Sequence, residues 1–252
     1  MQSLVNPGER LDDLLIHNLK IIQHPDEFCF SLDAILLAHF VAAPVQCQVV
    51  DLGAGTGVIS MLLAARGASR VTGLEFNSRM VDMARRSVRL NCLEDKVAIL
   101  EADLRDLRGV LPAGESDLVV SNPPYRPVGS GYTNPRDGVA MARHELTATL
   151  NDVVAAARYL VRYRGRFAMV HLPERVTEIL MAMNQADLEP KRLQWVYSAS
   201  GRKPKFLLVE GIRGAKPGVD VLPPLFIYDD KGRYSSEILA YYPKGGDSGT
   251  DE

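Results

Sequence analysis

Gln48-Val49-Val50-Asp51-Leu52-Gly53-Ala54-Gly55-Thr56-Gly57 is a short apolar run that ends in glycines at every second position. The run reads as a strand, and Val58 to Arg66, closed by Gly67, reads as the helix that follows it. Glycines there allow a sharp turn and let a ligand approach the main chain with no Cβ in the way. A dinucleotide turn would read G-x-G-x-x-G, but the sixth position counted from Gly53 is Val58. Asp51 stands just before the turn, where it would repel a pyrophosphate. A ligand carrying a positive group suits the turn better.

Working outward, Arg70 to Glu75 looks like a second strand, with Ser78 capping a helix through Leu90. Val97 to Leu100 supplies a third strand and Leu118 to Val120 a fourth. Leu150 to Val161 is helical, Arg166 to His171 a fifth strand, and Val176 to Ala186 a helix started after Pro173. Strand-then-helix alternation with long crossovers predicts an α/β fold whose parallel sheet is covered on both faces. After Pro190 the pattern changes: Leu193 to Ser198 and Phe206 to Ile212, separated by the turn-rich Ala199 to Lys205, predict a terminal antiparallel pair. We expect an N-terminal extension over residues 1–45 (strand, turn, strand and one helix), a main domain over 46–242, and a disordered tail over 243–252.

Composition bounds the function. The 252 residues are 46% apolar and 24% charged, as in an ordinary globular protein, and no run of eighteen apolar residues suggests a membrane span. The start lacks a basic segment followed by an apolar one, so the expected location is the cytoplasm. Cys29, Cys47 and Cys92 are scattered without CxxC spacing, and the histidines lack ligand spacing, so neither a disulfide framework nor a metal site is expected. A net charge of −2 excludes a uniformly basic nucleic-acid coat but permits a local patch.

Each predicted strand end carries a functional group. Glu75 can accept both hydroxyls of a ribose. Asp103, after the third strand, can accept from the exocyclic amine of adenine. Amino acid, ribose and adenine joined in one extended molecule describe S-adenosylmethionine. Beyond the fourth strand comes Ser121-Asn122-Pro123-Pro124-Tyr125, where consecutive prolines end the strand and stiffen the loop. The Asn122 side-chain carbonyl and the Pro123 main-chain carbonyl can grip the two hydrogens of a planar amine and favour the pyramidal state in which nitrogen attacks. Tyr125 is expected to stack on the face of that planar group.

In that order, Asp51 to Gly57, Glu75, Asp103 and Asn122 resemble the class I, Rossmann-like methyltransferases of the Asn-Pro-Pro-Tyr type. The resemblance implies a doubly wound, mostly parallel seven-stranded sheet with a C-terminal antiparallel hairpin. It also implies a cofactor set of Ser31, Asp33, Asp51, Gly53, Ala54, Gly55, Gly57, Glu75, Phe76, Asp103, Leu104 and Asn122, with S-adenosylhomocysteine as product. Phe28 to Ala38 looks like the segment that folds over the methionine end of the cofactor, though Ser31 and Asp33 read equally well as helix caps. With Arg143-His144-Glu145, Leu208 to Gly211 and Pro223-Pro224-Leu225, the chain is similar to the tRNA adenine-N6 methyltransferases that modify position 37 of a valine tRNA.

The resemblance makes tRNA the expected partner. From Glu189 to Lys216 seven basic residues (Lys191, Arg192, Arg202, Lys203, Lys205, Arg213, Lys216) face two acids, and Arg158, Arg162, Arg164 and Arg166 add a second cluster. Either could hold RNA phosphates or be an ordinary solvated surface. Arg126, Arg143, His144, Arg202, Lys203 and Lys205 are the candidate substrate contacts, and Arg126 to Arg143 reads as a substrate loop. Two other functions share the motifs: methylation of a glutamine amide in a protein such as a release factor, and a binding module for cofactor or RNA that lacks turnover. The short N-terminal extension weighs against the first, and the intact site residues against the second.

Overall fold

The computed structural model describes residues 4–42, 45–125 and 148–242. Two short strands, β1 (Arg10–Asp13) and β2 (Lys20–Gln23), form an antiparallel hairpin, followed by helix α1 (Leu32–Phe40). Next come β3 (Gln48–Leu52), α2 (Val58–Ala65), β4 (Arg70–Glu75), α3 (Ser78–Leu90), β5 (Val97–Glu101) and β6 (Ser116–Ser121). Then follow α4 (Leu150–Leu160), β7 (Val161–His171), a 3-10 turn (Pro173–Arg175), α5 (Val176–Gln185), β8 (Leu188–Tyr197) and β9 (Pro204–Arg213). Two-residue strands β10 (Asp220–Val221) and β11 (Leu225–Phe226) and the short helix α6 (Ser236–Leu239) close the described chain.

Seven long strands lie in the order β8-β9-β7-β6-β3-β4-β5, and β10 and β11, both paired with β8, extend the sheet to nine. The architecture is the expected one: β3 to β7 are mutually parallel, and β9 is antiparallel to both β7 and β8. It follows that β8 runs in the same direction as β7. The carboxyl ends of β3 to β8 and the amino end of β9 therefore share one rim.

The strands are continuously apolar because both faces are covered. Val49, Leu118, Val120, Ala168, Val170 and Leu208 join the core beneath α1, α2 and α3. Their neighbours Val50, Val119, Phe167, Met169, Leu207 and Val209 join the core beneath α4 and α5. That alternation is the period-two pleat of a strand. The N-terminal hairpin docks on α3, where the Ile22 N–H donates to Ser87 Oγ (2.9 Å) and the part-buried Arg86–Glu9 pair closes at 2.6 Å.

Several boundaries differ from expectation. Helix α3 is capped by Asn77, whose side chain accepts from the Arg79 and Met80 N–H groups, so Ser78 is already the first helical residue. Strand β7 begins five residues before Arg166, behind a register shift between Ser116 and Leu118 that leaves Arg162 to Arg164 exposed and hides the alternation. Strand β8 starts before Pro190 and carries that proline through a second register shift, a position where a missing N–H is tolerated.

Candidate active site

Over β3, β4 and β5 the site is made largely of main chain. Gly53, Gly55 and Gly57 have φ of 71°, 58° and 87°, the left-handed region that costs other residues about 1–2 kcal/mol each. The Gly53 and Ala54 N–H groups both donate to the Leu74 carbonyl at 2.9 Å. The turn can press this closely because β4 has no side chain at Gly73, where a Cβ would meet Ile99 Cδ1 at 2.7 Å and Ala54 Cβ at 2.9 Å. Glu75 is held by two main-chain donors: Gly55 N–H reaches Oε2 (2.8 Å) and Asn77 N–H reaches Oε1 (2.9 Å). Each oxygen retains a lone pair for a further donor. Beside it the Phe76 ring is 52% exposed, an apolar surface at the mouth of the turn.

Asp51 takes the face of Val49 and is wholly buried. Ser60 Oγ donates to its Oδ2 (2.7 Å), whereas Oδ1 has no hydrogen-bond partner. Burial pushes its carboxyl up to about 7, with Ser60 opposing the rise and the Glu75 carboxylate adding to it. An orphaned, buried acid beneath a left-handed glycine turn fits a cationic ligand, and with Glu75 and Phe76 it fits S-adenosylmethionine. Asp103 carries a fork from Arg105, whose Nε and Nη2 reach both carboxylate oxygens, and this holds the carboxyl below its usual range. Leu104 is half-buried against the α4 side of the core.

Across β6 the site is made of side chains. Leu52 and Ser121 are paired in register, and Ser121 Oγ donates to the Leu52 carbonyl at 2.9 Å. The next residues on the two strands are Gly53 and Asn122, so this pairing brings the amide to the glycine turn. Tyr125 turns inward. Its hydroxyl bonds Asn122 Oδ1 (2.8 Å) and, in a very short contact, Asp33 Oδ2, while its ring leans on His171 (5.4 Å between centroids) and Phe206 (6.2 Å). Arg175 Nη1 donates to the Tyr125 carbonyl at 3.5 Å. Burial, reinforced by Asp33, raises the phenol far above its ordinary range, so it stays protonated. Burial also lowers His171 to about 4, helped by Arg175, so its imidazole is neutral near pH 7.

Asp33 is buried, and its Oδ1 accepts from Ser31 Oγ and from the Ala34 N–H (2.9 Å). Ser31 occupies the N-cap position of α1 but makes no side-chain cap bond; its hydroxyl donates to Asp33. The partners Asp33, His171, Arg175 and Phe206 come from three distant segments. Sequence reading placed Asp33 with the cofactor and gave the other three no role. Only the fold brings them behind Tyr125.

The cationic clusters divide between the two rims. Arg202, Lys203 and Lys205 are exposed at the β8–β9 turn, on the rim of Asn122. The other basic residues of Glu189 to Lys216 do not share that surface, because β8 and β9 carry them toward the opposite rim. Arg192 and Arg166 both pair with buried Glu210 (3.2 and 3.5 Å), Lys191 donates to the Lys216 carbonyl, and Arg213 donates to the Val161 carbonyl. Arg158 and Arg162 pair with Asp187 and Asp117. Arg126, Arg143 and His144, and the proposed loop between them, lie outside the described residues, as does the tail over 243–252. Among the described residues no group of three or more His, Cys, Asp or Glu is arranged to hold a metal ion, and no helix is long and apolar enough to cross a membrane.

The strand order, the glycine turn and the asparagine at its side define a class I, Rossmann-like methyltransferase. The chain belongs to the Methyltransferase small domain family, whose model matches residues 18–171. A tRNA1(Val) (adenine(37)-N6)-methyltransferase of Porphyromonas gingivalis is 30% identical over 82% of this chain and 84% of its own length. An enzyme of the same name from Aeromonas hydrophila subsp. hydrophila is 28% identical over 82% of this chain and 85% of its own. Among solved structures, one from Agrobacterium tumefaciens described as a "predicted O-methyltransferase" superposes with a TM-score of 0.68 at 24% identity, covering 83% of this chain and 95% of the other. That likeness bears on the fold.

Proposed function

We infer that this chain is an S-adenosylmethionine-dependent N-methyltransferase acting on the exocyclic N6 of an adenine in tRNA, at position 37 of tRNA1(Val) as in the relatives' names. The observation that carries the reading is the register of β3 and β6, which sets Asn122 directly beside Gly53. When bound, the cofactor supplies a methyl carbon made electrophilic by its sulfonium.

The residues divide the remaining work. Gly53, Ala54, Gly55 and Gly57 line the cofactor's path, Asp51 offsets its positive charge, Glu75 accepts its ribose hydroxyls, and Asp103, Phe76 and Leu104 border its adenine. Asn122 Oδ1 and the Pro123 carbonyl accept the two N6 hydrogens of the substrate, and Pro124 keeps the loop stiff. Holding both hydrogens draws the lone pair out of conjugation and stabilises the positive charge that develops on nitrogen. Asn122 Oδ1 is occupied by the Tyr125 hydroxyl in this structure, so an arriving amine displaces that bond. Tyr125 and His171 are poor bases here, the first because it holds its proton tightly, the second because burial weakens it. The N6 proton leaves to solvent after transfer. Residues 1–45 serve as an extension that supports the loop through Asp33, and the enzyme works in the cytoplasm, where its RNA is.

The test is nucleoside mass spectrometry of tRNA from cells with and without the gene, paired with methyl transfer by the purified protein to unmodified tRNA. N6-methyladenosine should vanish from one tRNA position and be restored in vitro. Label that appears in a protein glutamine, on another RNA atom, or nowhere would overturn the reading.

A further inference from the structure

A ladder of aromatic rings lies on the same rim, apart from the site just described. Strand β11 runs beside the end of β8, and the Ile227 and Tyr228 N–H groups donate to the Tyr197 and Ser198 carbonyls (2.8 and 2.9 Å). The chain from Tyr228 to Tyr234 thus emerges next to the β8–β9 turn. Tyr228 and Tyr234, joined by an antiparallel bridge, stack with centroids 5.4 Å apart and planes 7° from parallel. Tyr234 stacks in turn on Tyr242 at 6.3 Å and 15°. Among the described residues no ring stacks on the other face of Tyr228, which lines an open cleft of about 650 Å³ with Ser198, Ser200, Arg202, Asp229, Asp230 and Gly232.

The ladder's exposure and the charge beside it identify the kind of occupant. Tyr228 and Tyr234 are 39% and 41% exposed, and the exposed surface of Tyr228 faces the cleft. At 5.4 Å the two rings leave no room for a third between them, so a planar ligand stacks on the free face of Tyr228. Asp229 is taken up by the Lys231 and Arg233 N–H groups (2.8 and 3.0 Å) and by the Arg233 guanidinium (2.9 Å). Among the described residues the Arg202 guanidinium forms no ion pair, although Asp230 lines the cleft with it, and the neighbouring Lys203 is exposed. Aromatic faces beside unpaired cations suit bases joined by phosphates. Bases in a duplex have their faces covered, which restricts the fit to unpaired nucleotides.

We propose that this cleft is a subsite for single-stranded RNA, in which a base of the substrate stacks on Tyr228 while Arg202 and Lys203 meet its phosphates. The inference rests on the tRNA reading and extends it to the nucleotides around the target. From β6 through β7, β9 and β8 to β11, the strand that leads into Tyr228, is four strand spacings of ~4.8 Å, on the order of 19 Å. A base a few nucleotides from the target adenine, in the loop that presents it, spans that distance.

Steady-state kinetics on unmodified tRNA test the subsite. Tyr228→Ala should raise the KM for tRNA roughly tenfold with unchanged cofactor affinity, and Tyr228→Phe, which keeps the ring, should restore it. Arg202→Glu should raise KM and flatten its dependence on salt. Irradiation of the wild-type protein with tRNA containing 4-thiouridine should cross-link a peptide that includes Tyr228. If the wild type methylates tRNA and Tyr228→Ala does so with unchanged KM and RNA affinity, the subsite is wrong and the tRNA reading survives. Equal impairment by Ala and Phe would also overturn stacking. A wild-type protein that neither binds nor methylates tRNA would end both.

Discussion

The two halves of the rim are built by different means. Over β3 to β5 the candidate site is backbone: left-handed glycines, amides converging on Leu74 and Glu75, and a strand stripped of its side chain at Gly73. Over β6, β7 and β9 it is a cluster of side chains from separate segments, with Asp33, His171, Arg175 and Phe206 gathered around Tyr125. Main-chain donors are in place whatever side chains surround them, which suits a ligand that never changes. A side-chain cluster can be retuned one substitution at a time, which suits the variable partner.

If that division is right, damage to each half should have its own signature. The largest effect should come from Asn122→Ala, which removes an acceptor used only as charge develops. It should slow the chemical step by roughly 2–4 kcal/mol with cofactor affinity retained, read by single-turnover kinetics and calorimetry. Comparable loss of cofactor affinity would mean the halves are not separable. Glu75→Ala should do the reverse. With its two main-chain donors left unpartnered, cofactor affinity should fall by about 1.5–3 kcal/mol while turnover at saturation changes little.

Asp33→Ala should cost about 1 kcal/mol in kcat/KM, because the phenol then gives its hydrogen to Asn122 alone and competes with the substrate. Adding Tyr125→Phe removes that competitor, so the double variant should recover part of the loss in a mutant cycle, and strict additivity would disprove the coupling. The smallest effect on binding concerns Asp51. A carboxyl at about 7 in the fold and near 3.8 unfolded must take up a proton on folding between those values. Stability of the free protein should therefore fall as pH rises through that window and level off above about 7. Affinity for the positively charged cofactor should rise a few-fold across the same upper limit, and Asp51→Asn should flatten both curves in thermal melts and calorimetry.

The backbone-built half was legible in the sequence. Alternating glycines, a strand-ending acid and the apolar run before them are local signals, and the structure places Gly53, Gly55, Gly57 and Glu75 as that pattern implies. The motif after β6 was legible too, as a strand ended by two prolines. What surrounds Tyr125 was not, since Asp33 lies 92 residues away from it. Nor could spacing tell that Arg166 and Arg192 spend their charge on buried Glu210. Strand direction separated the basic run into two groups, and direction is a property of the assembled sheet. The strands β10 and β11, at two residues each, are too short for any periodicity to mark.

Strand β9 is the member of the main sheet that runs against its neighbours. Its reversal puts the connection from Tyr197 to Pro204 on the same rim as Asn122, outside the parallel part of the sheet. Lengthening such a connection costs little in closure entropy. New nucleic-acid preferences could be grafted at this bend while the glycine turn after β3, four strands from β8 in the sheet, stays as it is.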